Sequence, residues 1–173
     1  SVAGWCTGLF CEETLGRVLG PVKTLVCITA ACTVQRRLLV LCTSSVAGEQ
    51  WKREFCKWST IDPNKISRFT SYHKETFNQD VGILISTYSM MGHSIRSVES
   101  EAMMKSIQSY EWGLLIMDEV QVVPAETFKK AIFEVKSHCK LGLTATLVRE
   151  DDKIKQLNFL IGPKLYDANW LDL

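Results

Sequence analysis

Asp118 and Glu119 stand side by side after an apolar run, Leu114-Leu115-Ile116-Met117, and Val120-Gln121 follow them. A buried strand that delivers adjacent carboxylates at its end can divide one task between them. Magnesium takes oxygen ligands and keeps several waters, so a single carboxylate can hold it beside nucleotide phosphates. The neighbouring carboxylate can orient an attacking water and take its proton. Asp-Glu pairs also occur at solvated strand ends. The four apolar residues before this pair and Gln121 after it favour the chemical reading.

Such a pair needs a phosphate-binding loop nearer the N-terminus. Lys23-Thr24 stands there, where a Lys could neutralise phosphate and a Thr hydroxyl could ligate magnesium. The pattern G-x-x-x-x-G-K-[ST] is incomplete, because Val18-Leu19-Gly20-Pro21-Val22 precede the Lys. Gly20 remains, but Val22 occupies the position of the glycine before the Lys. Pro21 removes a backbone donor, and Val resists positive φ. Taken alone, Lys23-Thr24 is a helix start. Thr144-Ala145-Thr146 follows another apolar run. Its two hydroxyls could link a nucleotide site to a bound strand, or simply form a turn with a Thr helix cap.

Short apolar runs alternating with helical stretches must position these groups. Leu38–Cys42, Val81–Ser86, Gly113–Met117 and Lys140–Thr144 read as strands, the continuous runs as strands buried on both faces. Thr24–Val34, Val46–Trp58 and Ala102–Tyr110 read as helices, with Val46, Trp51, Phe55 and Trp58 on the apolar side of the second. Pro124 opens a further helix that runs to about Ser137. The alternation predicts an α/β fold, a mostly parallel sheet with helices on both faces. Ligands of such sheets bind beyond the carboxyl ends of the strands, where Thr43-Ser44-Ser45, Thr87, Asp118-Glu119 and Thr144-Ala145-Thr146 all fall. Ser1–Val22 shows no period that names an element.

Composition sets the outer bounds. The 173 residues, 46% hydrophobic and 23% charged, suit one globular domain with a real core. A formal charge of +1 gives no global field toward nucleic acid or lipid, so any contact with DNA must be local. Arg36-Arg37, Lys52-Arg53 and Lys129-Lys130 each read as solvated helix faces. Seven cysteines without a C-x-x-C pair argue against zinc and for buried free thiols in a reducing compartment. No run has the length of a membrane span, so no membrane partner is expected. The absence of an initiator Met predicts a fragment or a trimmed chain.

Together these pieces resemble the first motor domain of superfamily 2 helicases, and more closely the xeroderma pigmentosum group B family of TFIIH helicases. The resemblance runs from Lys23 to the C-terminus. It is carried by Thr29-Ala30-Ala31-Cys32-Thr33-Val34, Ile85-Ser86-Thr87-Tyr88-Ser89-Met90 and above all by Cys139 through Ile154, including Gly142-Leu143-Thr144-Ala145-Thr146-Leu147-Val148-Arg149-Glu150-Asp151. It implies a RecA-like P-loop NTPase lobe over residues 23–173, preceded by an unmatched segment, residues 1–22. It further implies a nuclear protein that hydrolyses ATP with Mg2+ to act on DNA in transcription initiation and nucleotide excision repair. Its partners would be DNA, other TFIIH subunits and a second helicase lobe.

By the same resemblance Gly20, Lys23 and Thr24 hold nucleotide, and Thr24 and Asp118 hold magnesium. Glu119 activates water, and Gln121 replaces the family's His beside it. Thr144 and Thr146 couple nucleotide to DNA. Thr43, Ser44, Thr87 and the Arg149-Glu150-Asp151 motif lie on the DNA side. The mismatch before Lys23 is abrupt, as a misread exon boundary or shifted reading frame would make it. Because both lobes are needed for turnover, the isolated chain is expected to be inactive, and Pro21 and Val22 lead to an expectation of weak or no ATP binding. The alternative is a non-catalytic lobe that keeps only DNA or TFIIH contacts.

Overall fold

Five consecutive apolar residues, Leu38–Cys42, form a strand in which every residue is buried. Their alternation explains why the run is continuous. Leu38, Val40 and Cys42 pack into one apolar cluster and Leu39 and Leu41 into another, so both faces of the strand are covered. The computed structural model describes residues 7–12, 20–92, 97–144 and 159–168. Along them the chain forms β1 (Thr7–Glu12), α1 (Gly20–Val34), β2 (Leu38–Cys42), α2 (Ser45–Trp58), β3 (Ile66–Phe69), β4 (Ile83–Thr87), α3 (Tyr88–Gly92), α4 (Val98–Ser109), β5 (Glu111–Met117), α5 (Ala125–Glu134), β6 (Lys136–Thr144) and β7 (Lys164–Ala168). Single 3-10 turns occupy Pro63–Lys65 and Val120–Val122.

The strands make one seven-stranded sheet in the order β3-β4-β2-β5-β6-β1-β7, and every pairing is parallel. Cys42 lies opposite Thr87, and Leu41 opposite Met117. Met117 in turn lies opposite Gly142, and Cys11 opposite Thr144. The register therefore aligns the carboxyl ends of the central strands along one edge.

Helices cover both faces. Cys27 and Ile28 of α1 and Trp51 and Phe55 of α2 pack with Val40, Ile85, Leu114 and Ile116. Met104 and Ile107 of α4 and Phe128 and Ile132 of α5 pack with Leu41, Leu84, Leu115 and Met117. Each fully buried aliphatic side chain contributes about 1.5–3 kcal/mol. The expected doubly covered parallel sheet is the one observed.

Several boundaries differ from expectation for physical reasons. α1 begins at Gly20, four residues before Thr24. α5 stops at Glu134, short of Ser137, because Lys136 and Ser137 pair with Glu111 and Trp112. Val46 is 75% exposed and Trp58 47%, so the buried side of α2 is Gly48, Trp51 and Phe55. Strand β1 arises from the stretch that showed no period, and β3 and β7 are further strands beyond the expected ones. Of the described cysteines, Cys27 and Cys42 are buried while Cys32 and Cys56 are exposed.

The start of β5 is anchored by a close backbone approach. Gln35 takes a left-handed conformation, φ 49°, just past the end of α1. The chain then turns so that the Gly113 N–H donates to the Arg37 carbonyl at 2.8 Å. A Cβ on Gly113 would sit 2.6 Å from Arg36 Cβ and 2.8 Å from Val34 Cγ1. Only glycine fits there without displacing a neighbour.

Candidate functional site

The direction of Asp118 follows from strand parity. Leu114 and Ile116 face the α1/α2 layer, and Asp118 continues that phase two residues on. Its own N–H donates to the Leu41 carbonyl at 2.9 Å, extending the pairing of β5 with β2. The Trp51 indole N–H of α2 donates to Asp118 Oδ2 at 2.8 Å. The Tyr88 hydroxyl donates to the Asp118 carbonyl oxygen at 3.0 Å. Backbone and side chain of Asp118 are thus held from different elements.

Cys42 and Tyr88, buried beside Asp118, hold their protons more tightly than usual. Burial, and then the charge of Asp118, push the Cys42 thiol well up. Burial pushes the Tyr88 hydroxyl well above its ordinary value, with Cys42, Asp118 and Glu119 adding to the shift. Neither group places a second anion against Asp118, whose carboxylate suits a cation. Among the described residues no group of three or more His, Cys, Asp or Glu could hold a metal. A cation at Asp118 would need oxygen ligands from outside this cluster, as magnesium takes from phosphates and water. The donor set fits magnesium in that form.

Glu119 leaves the strand with φ 51° and ψ 47°. For a residue other than glycine this conformation costs about 1–2 kcal/mol, and it starts the 3-10 turn Val120–Val122. The Gln121 side-chain amide donates to Glu119 Oε2. With its nitrogen turned to the carboxylate, the Gln121 Oε1 must face away, and there it is buried with no hydrogen-bond partner.

The phosphate side is poorer. α1 ends at Val34, close before β2 begins, so its Gly20 end points to the edge where Asp118 lies. A helix N-terminus there favours anions. Gly20, Pro21, Val22 and Lys23 form its first turn, and Pro21 supplies no N–H. Thr24 is half-buried, while the Lys23 side chain lies outside the described residues.

The remaining expected residues divide. Thr43 and Ser44 are exposed at the start of α2, where Ser44 Oγ accepts from the Ala47 N–H at 3.2 Å as helix cap. Thr43 also borders a cavity of about 480 Å3 with Ser89, Val123, Pro124 and Thr127. Thr87 is buried, its hydroxyl within 3.0 Å of the Ser89 hydroxyl and accepting from the Met90 N–H at 3.3 Å. Thr144 is buried at the end of β6. Thr146, Arg149, Glu150 and Asp151 lie outside the described residues. Sequence reasoning passed over Trp51 and Tyr88 as site residues. Tyr88 directly follows Thr87, but nothing local marks Trp51, 67 positions from its partner.

A family model described as type III restriction enzyme, res subunit, matches residues 20–149. The chain belongs to this family. It is also similar to the helicase/translocase subunit XPB of general transcription and DNA repair factor IIH. Identity is 54% over 155 residues with the Schizosaccharomyces pombe protein and 58% over 157 residues with that of Danio rerio. Each alignment covers 89% of this chain, but only 19% and 20% of those relatives. The chain thus spans about a fifth of their length. The resemblance read from the sequence is borne out. Among solved structures, the Sulfolobus solfataricus SWI2/SNF2 ATPase core in complex with dsDNA superimposes with a TM-score of 0.64 at 22% identity. That match covers 90% of this chain and 32% of the other. The fold is the RecA-like α/β fold of such cores.

Proposed function

We propose that residues 23–173 are the first motor lobe of an ATP-dependent DNA translocase of the XPB type, working in the nucleus within TFIIH during transcription initiation and nucleotide excision repair. The observation that carries this reading is the Asp118-Glu119-Gln121 corner. A buried parallel strand ends in a carboxylate held by Trp51, followed by a second one held by Gln121. The names of the relatives supply the substrate and assembly. By the resemblance read from the sequence, a second helicase lobe would face this edge.

The residues divide the work accordingly. Asp118, with Thr24, would hold magnesium, and Gly20 and Lys23 would hold the nucleotide phosphates. Magnesium-ATP, when bound, supplies the activated phosphoryl group. Glu119, held by the Gln121 side-chain amide, would orient a water molecule and take its proton. Thr144 and Thr146 pass the state of this edge toward the DNA side. There Thr43, Ser44, Thr87 and Arg149-Glu150-Asp151 meet the sugar-phosphate backbone, which positions DNA without reading its sequence.

We expect this lobe to bind nucleotide weakly, because its first helical turn lacks the N–H of position 21. Titration with magnesium-ATP tests this. The chain should bind weakly, and Pro21→Ala with Val22→Gly should tighten binding. A charge-assisted bond regained at Pro21 is worth about 1.5–3 kcal/mol, roughly tenfold or more in affinity. Asp118→Asn in that background should remove the magnesium dependence. Micromolar affinity in the starting chain, lost on Lys23→Ala, would show that the loop is intact. Magnesium dependence that survives Asp118→Asn would remove the acidic corner from the nucleotide site.

A further inference from the structure

Trp51 joins the interior of the α1/α2 layer to the acidic corner. Its residue is only 5% exposed, and its ring lies tilted against Phe55 with centroids 5.8 Å apart. An indole offers one donor and no acceptor. Here that donor ends on Asp118 Oδ2 at 2.8 Å. A ring packed on the sheet cannot turn without opening the core, so its N–H direction is fixed. The bond in turn fixes the plane of the carboxylate about its last rotatable bond. The terminal torsion of a carboxylate is by itself broad and soft, so such a bond orients it.

We propose that Trp51 is a positioning residue for cation binding: its indole N–H holds the Asp118 carboxylate in the orientation that receives a divalent cation. The proposal rests on the reading of Asp118 as the cation-holding group, and it adds a role for Trp51 that the reading does not assign. The simpler role for Trp51 is a core aromatic that finds an acceptor for its N–H wherever one is near. The two roles separate at Trp51→Phe, which keeps a buried aromatic ring and removes the donor.

The test uses the full chain labelled with 15N and manganous ion alone as the probe. Five tryptophans give five indole N–H resonances. The Trp51 resonance should be the first of them broadened by the paramagnetic ion. Trp51→Phe should weaken manganese affinity about tenfold, the lower range for loss of a group that orients a metal ligand, with the thermal midpoint little changed. Asp118→Asn should abolish the early broadening and move the Trp51 indole resonance upfield.

A folded Trp51→Phe variant with unchanged manganese affinity overturns the proposal and leaves the reading of Asp118 standing. An Asp118→Asn variant that binds manganese as before overturns both. Where Trp51→Phe does not fold, the wild-type chain and Asp118→Asn decide. Early broadening of the Trp51 resonance together with its upfield shift supports the proposal. Absence of either defeats it.

Discussion

Gly113→Ala tests whether the acidic corner depends on the anchor five residues before it. The added methyl would lie 2.6 Å from Arg36 Cβ and 2.8 Å from Val34 Cγ1. Ordinary carbon contacts are about 3.5–4.0 Å, so roughly 1 Å must be recovered by movement. Neither neighbour yields cheaply. Val34 is β-branched and stiff, and the Cβ of Arg36 moves only with its backbone. That backbone is pinned by the left-handed Gln35 before it and by the Gly113 bond to Arg37 after it. Overpacking of this kind costs about 1–3 kcal/mol. Replacing glycine returns about 0.4–1 kcal/mol through the unfolded chain. Because neither neighbour yields, the upper part of the first range applies, and the net loss should be about 1–2 kcal/mol. With a urea m-value of about 2 kcal/mol/M, the midpoint falls by about 0.5–1 M. Urea unfolding followed by tryptophan fluorescence measures it. A loss below about 0.5 kcal/mol, the level of ordinary surface substitutions, would refute the close-approach argument.

Two other outcomes follow from the same structure. Gln35→Gly should raise stability by about 0.5–1 kcal/mol, since glycine adopts the observed φ of 49° without a Cβ penalty; a lower urea midpoint would count against it. Glu75 gives a pH dependence. Burial pushes its carboxyl up, but the hydrogen bonds and charge of Arg68 outweigh this and hold it below its ordinary value. A carboxyl lowered in the folded state stabilises above its unfolded pKa of about 4.3. That contribution is lost as pH falls below this value through the folded one. Arg68→Ala should therefore flatten the acid limb of the stability profile, read from urea midpoints across that range.

The centre of the sheet was legible and its flanks were not. Leu38–Cys42 and Gly113–Met117 announce themselves because both faces are buried, so every position must be apolar or small. β3 carries Ser67 and Arg68 in its middle, which hides it. In the structure these find partners outside the strand, Ser67 on the Thr76 carbonyl at 3.2 Å and Arg68 on Glu49 at 2.6 Å and on Glu75. Trp58 was expected on the buried side of α2. It instead donates to Glu54 at 2.8 Å, with Lys57 over its ring at 4.6 Å, a solvated helix end. For the site, Asp118-Glu119 could be read from residue types alone. The left-handed turn at Glu119 and the Trp51 bond could not, since both are tertiary outcomes.

The phase of β5 has a consequence for how such a corner can vary. Leu114, Ile116 and Asp118 share one face, while Leu115 and Met117 share the other. The strand therefore works as a ruler graduated in single residues. Inserting or deleting one residue between Gly113 and Asp118 would exchange the layers, turning the carboxylate from the Trp51 side toward α4 and α5. A two-residue change would restore the side but move the carboxylate along the edge by about 7 Å, away from the register it shares with β2. Chains built on this plan can drift in residue type along β5, but its length between anchor and acid is not open to adjustment.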